Sequence, residues 1–127
     1  MIGARMKAAI IVSLTTFLPL LFVLGASEAH YRDAWAKEHG GKVEVVLPDR
    51  TRCDIVTDTH AIEVDYAKKW AEAIGQSLYY ALQTNKRADI VLILEKKKDY
   101  RYALRLGSVI EANKLPIDVW FTGTGAP

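Results

Sequence analysis

Glu63 and Asp65 flank Val64 in the stretch His60 to Asp65, which reads as a β-strand. Alternation puts both carboxylates on one face and Ile62 and Val64 on the other. Two like charges together on a strand repel each other and resist burial. A divalent cation relieves both problems. Asp54 stands nine residues before Glu63, and a hairpin turning at Thr57–Thr59 brings it alongside. Three converging carboxylates form a hard oxygen ligand set that suits Mg²⁺ or Mn²⁺. The chemistry within reach is phosphodiester hydrolysis. The cation would neutralise phosphate oxygens and acidify a water, and a nearby amine would orient that water or take its proton. The alternative reading of the same pattern is a solvated sheet face whose acids are merely wet.

The helix after this strand carries further candidates. Lys69, Gln76 and Tyr80 stand at i, i+7 and i+11, which is one helical face. That face is expected to be separate from an inward face of Trp70, Ile74 and Leu78. Lys68 and Lys69 open the helix, where a lysine is unfavourable to the helix dipole but can reach a phosphate or a bound water. Gln76 can bond a substrate or hold a carboxylate.

The elements that must position these groups follow from hydrophobic period and turn chemistry. Tyr31 to His39 reads as a helix ended by Gly40-Gly41. Lys42 to Leu47, Thr51 to Val56 and His60 to Asp65 read as strands joined by short turns, hence an antiparallel meander. Tyr66 to Thr84 is a helix stopped by Asn85-Lys86, Ile90 to Leu94 a buried strand, Tyr100 to Asn113 a helix, and Ile117 to Phe121 a last strand. The order αβββαβαβ predicts an α/β (mixed α+β) domain, a central mixed sheet with helices on both faces. The tail Thr122 to Pro127 is expected to be loose.

Composition narrows the classes. A chain of 127 residues, half of them hydrophobic, fits one folded domain small enough to favour a homodimer. The formal net charge of +2 supplies no strong basic field for nucleic acid. One cysteine, Cys53, excludes an internal disulfide framework and a Cys-rich zinc site, and its position predicts a core thiol. His30, His39 and His60 have no metal-ligand spacing and read as surface or turn residues, and Lys96-Lys97-Lys98 as a charged turn.

The N-terminus reads as an address. Arg5 and Lys7 precede an uncharged apolar run, Ala8 to Leu24, followed by small residues up to Ala29. That is the pattern of a secretory signal peptide, residues 1–29, with cleavage after Ala29. The domain is then 30–127, nearly neutral, periplasmic or secreted, and free of the membrane. The rival reading is an uncleaved membrane anchor, for which the run is at the short limit.

The segment Arg52 to Tyr80 resembles the PD-(D/E)XK nuclease superfamily, which includes Holliday-junction resolvases, restriction endonucleases and RecB-like exonucleases. The resemblance implies a restriction-endonuclease-like core and Mg²⁺- or Mn²⁺-dependent cleavage of nucleic acid. The family's first acid falls on Asp54 and its second on Glu63, with Asp65 a third ligand or a supporting group. Gln76 and Tyr80 resemble the Gln-x-x-x-Tyr motif of the RecB-like branch. Glu38 matches a first-helix glutamate used by resolvase-like members. The family lysine belongs two residues after Glu63, where this chain has Asp65. Lys68 or Lys69 would then substitute. In another frame Asp65 is the second acid. A relative that keeps the fold and binds a partner without cutting is the alternative.

Overall fold

Ser27 starts the first element. Its hydroxyl accepts the His30 amide at 3.2 Å, and Glu28 places an acid in the first turn, both favourable at a helix N-terminus. Helix α1 runs Glu28–His39 and ends where Gly40 takes a φ of 86°, which suits glycine. The structure, a computed structural model, describes residues 26–127. Most of the expected signal segment lies outside them, and the expected cut after Ala29 falls in the first turn of α1. Among the described residues no helix is long and apolar enough to cross a membrane.

Strands β1 (Lys42–Val46), β2 (Arg52–Val56) and β3 (His60–Tyr66) pair antiparallel as a meander. A short 3₁₀ turn, Ala67–Lys69, leads into α2 (Trp70–Thr84). Asn85 closes α2 in the left-handed region that asparagine tolerates. Strand β4 (Arg87–Ile93) lies parallel to β3, and α3 (Tyr100–Asn113) carries the chain to β5 (Ile117–Thr122), parallel to β4. The sheet order is β1-β2-β3-β4-β5. Both crossovers step the same way across the sheet, so α2 and α3 share a face. The fold is the expected mixed α/β sheet with three helices.

Alternation divides the core in two. Ile90, Leu92, Ala103 and Leu106 pack beneath α2 and α3. Ile55, Ile62, Val64 and Val91 pack beneath Trp35 and Ala36 of α1. β4 is buried on both faces, and each fully buried aliphatic chain there stabilises the fold by about 1.5–3 kcal/mol.

Two expectations are corrected. Trp70, Ile74 and Leu78 pack against the core as expected, but Tyr80, expected on a separate face, is buried with Ala73 and Ser77 on the inward side of α2. The tail is not loose. Gly125 donates to the Leu94 carbonyl at 2.7 Å and the Thr124 hydroxyl to the Glu95 carbonyl at 2.6 Å. A methyl group on Gly125 would overlap the Lys96 backbone. Gly125→Ala should therefore lower the thermal midpoint by several degrees, a loss of about 1–3 kcal/mol, readable by circular dichroism.

Candidate functional site

The β2–β3 ladder is short. It runs through Val56–Ala61 and Ile55–Ile62. Beyond those pairs the Val64 amide donates to Asp54 Oδ2 at 2.8 Å, so a carboxylate takes the place of a strand carbonyl. This bond aims Asp54 at β3, where its carboxyl lies within hydrogen-bonding reach of Glu63. Glu63 and Asp65 are 6% and 4% exposed, on the α2 side of the sheet. Asp65 holds the Tyr66 amide at 3.0 Å. Its carboxyl is within hydrogen-bonding reach of Glu28, at the start of α1. The cluster is thus two carboxyl pairs, Asp54–Glu63 and Asp65–Glu28, near one end of β3.

Electrostatics matches the geometry. Burial, then the Asp54 and Asp65 charges, push the Glu63 carboxyl up to about 9. Burial also raises Asp54, against the pull of the Val64 amide. The Asp54–Glu63 pair therefore shares a proton at neutral pH. Burial and the Glu28 charge push Asp65 up to about 7, opposed by Lys69. Glu28 is raised by burial and by Asp54. The nearest guanidinium, Arg32, is already committed to Asp33 at 2.9 Å and to Glu44.

All four groups are hard oxygen donors short of cationic charge, the donor set that Mg²⁺ or Mn²⁺ takes. Among the described residues, however, no three His, Cys, Asp or Glu side chains are arranged to hold an ion together. The fit is therefore one of donor type and charge alone, offered by Asp54, Glu63 and Asp65.

The other sequence candidates fall in different places. Lys69 is exposed, and both Asp65 and Glu28 feel its charge. Lys68 and Lys69 line a cleft of about 410 Å³ with Lys96 and Lys98, so the lysine turn after β4 stands beside the lysines after β3. Tyr80 is buried against Cys53 and Ala61, and burial with the Glu63 and Asp54 charges pushes its phenol up to about 12. Gln76 is exposed, one turn ahead of Tyr80. Glu38 is exposed on the last turn of α1, about 15 Å along the axis from Glu28 at 1.5 Å per residue. The first-helix acid at the cluster is Glu28, which the signal-peptide reading set aside. An N-capping serine followed by an acid was the cue. Cys53 is buried as expected, its thiol raised to about 11 by burial.

Comparison with protein-family models, curated proteins and solved structures found no match.

The raised carboxyls set a pH dependence. Each binds its proton more tightly folded than unfolded. Their contribution to stability is complete below about pH 4, where free carboxyls are protonated. It is lost as pH rises through about 7 for Asp65 and about 9 for Glu63. Without divalent cations the thermal midpoint should fall steadily from pH 5 to pH 9. Glu63→Gln should flatten the upper part of that fall and melt above the parent at pH 9 in the same scans.

Proposed function

We propose that the chain is a nuclease-like domain with a restriction-endonuclease-type core, hydrolysing phosphodiesters of nucleic acid with Mg²⁺ or Mn²⁺. The observation that carries this reading is the set of buried carboxyls on β2 and β3 with raised proton affinity, next in sequence to the lysines of a four-lysine cleft. Carboxylates alone repel a phosphate, and lysines alone would grip it without chemistry. Their adjacency gives a polyanion somewhere to lie and a centre to act on it.

In this reading Asp54, Glu63 and Asp65 hold the cation, which would neutralise charge on the phosphate and acidify a water. Glu28 joins them from α1. Lys69 orients the attacking water or accepts its proton, with Lys68 beside it. Gln76 lies exposed for the nucleic-acid strand, and Tyr80 acts from beneath by packing against the carboxyl pair. Ionisation of Glu63 and Asp65 on cation binding releases protons, so affinity rises with pH. Export by the N-terminal segment and a homodimer complete the proposal. A cut after Ala29 would remove Glu28, so N-terminal sequencing of exported chain bears on the site as well as the address.

A second reading is a degenerate member that binds without cutting. Asp65 stands where the superfamily's lysine would be, which favours it.

Thermal melts with Mn²⁺ and a plasmid-nicking assay separate the readings. The proposal expects Mn²⁺ to raise the midpoint by several degrees at pH 8 and to support nicking. Asp54→Asn should abolish both. A shift without nicking points to the binding module, and no shift removes the metal centre.

A further inference from the structure

Trp35 Nε1 and Asp89 Oδ1 are buried polar atoms without a hydrogen-bond partner. Both residues line one cleft of about 430 Å³. It lies on the α1 face of the sheet, across from Glu63 and Asp65. Three adjacent strands build its floor: His60 and Ile62 on β3, Asp89 on β4, and Trp120 on β5. Helix α1 adds Trp35 and His39 as a wall.

Asp89 and its ladder neighbour Asp118 differ in kind. Asp118 is saturated, holding Arg87 at 2.6 and 3.0 Å and His60 Nε2 at 2.7 Å. Asp89 is 2% exposed and has no such ion pair. Burial pushes its carboxyl up to about 6, against the pull of His60. The Ile90 amide and the Trp120 side chain bond part of this carboxyl, and a buried Oδ1 left without a partner is destabilising.

The aromatic rings narrow the occupant. Trp35 stacks on His39 with centroids 4.3 Å apart, and Trp120 meets Trp35 edge-on at 6.1 Å and His39 at a tilt at 5.3 Å. Trp120 keeps 48% of its surface exposed, so part of the ring is free to receive a ligand. An anion would face Asp89 and the electron-rich rings. A hydrocarbon would leave Asp89 Oδ1 unsatisfied. A hard metal ion needs more oxygen ligands than one carboxyl offers. A cation bearing N–H groups answers the carboxyl and the exposed ring, donating to Asp89 and lying against the Trp120 indole, and leaves the Trp35 N–H without an acceptor.

We propose that this cleft binds a small organic cation of the guanidinium or primary ammonium type, held by Asp89 and the Trp120 ring. The site is independent of the carboxyl cluster on the other face.

Agmatine, which carries both cationic groups, is the probe, with butylurea as neutral control. Titration is followed by indole fluorescence and calorimetry at pH 8 in EDTA, so that failure of the metal centre has no bearing on the result. Agmatine should bind saturably and butylurea should not. Asp89→Asn and Trp120→Ala should each weaken binding at least tenfold. Trp120 is partly exposed, so Trp120→Ala decides the matter if Asp89→Asn fails to fold. No saturable binding, equal binding of butylurea, or binding undiminished in a folded variant overturns the assignment.

Discussion

The Val64 amide bonds to a side chain, at a point where a sheet would usually offer a carbonyl. That substitution governs the molecule's chemistry. The donated bond from Val64 to Asp54 lets the β2–β3 ladder stop after two paired positions without an orphaned amide. It also draws a carboxylate toward Glu63, a group that would otherwise keep its distance. Strand alternation then adds Asp65 to the same side, and the cap at Ser27 delivers Glu28 from the helix that covers the opposite face. The cluster is built from ordinary local rules, each applied at the mouth of one fork.

Much of the architecture was legible because local signals agreed with one another. The meander was readable from Pro48-Asp49-Arg50 and Thr57-Asp58-Thr59, turns too short for anything but antiparallel neighbours. The parallel half was readable because Ile-Val-Leu-Ile-Leu has the continuous apolarity of a strand covered on both faces. What failed was the placement of Tyr80 on a separate face of α2. Trp70, Ile74 and Leu78 do pack against the core, but the buried side of α2 is wide enough to take in Ala73, Ser77 and Tyr80 as well. The reading of the tail failed as well. Gly123 and Gly125 read as looseness, but their missing side chains let the backbone reach Leu94 and Lys96.

Of the site, the strand carboxyls were legible because parity and a short hairpin suffice to bring Asp54 and Glu63 together. Glu28 was hidden by its place among the small residues after the apolar run, which suits a peptidase as well as a helix start. Glu38 looked equivalent as a first-helix acid, but helical rise separates the two by most of the length of α1. The cleft around Asp89 had no local signature. His60, Asp89 and Trp120 are spread over 61 residues of sequence and meet only through the register of two parallel ladders.

The two carboxyl-bearing regions share a physical origin. In β3 and β4 odd and even positions face opposite layers, and the ladder aligns Glu63 with Ile90 and Ile62 with Asp89. Each strand therefore offers one acid to a layer where its neighbour offers an aliphatic chain. A one-residue slip would exchange every such pair between faces. The aliphatic partners oppose that slip, since Val64 and Val91 would leave the core under α1 together. Hydrophobic register thus holds buried carboxyls that electrostatics alone would expel, on both faces of a single sheet. Helix α1 touches both regions, with Glu28 at its first turn by Asp65 and with Trp35 and His39 further along at the Asp89 cleft. A rigid twelve-residue helix fixes the distance between them.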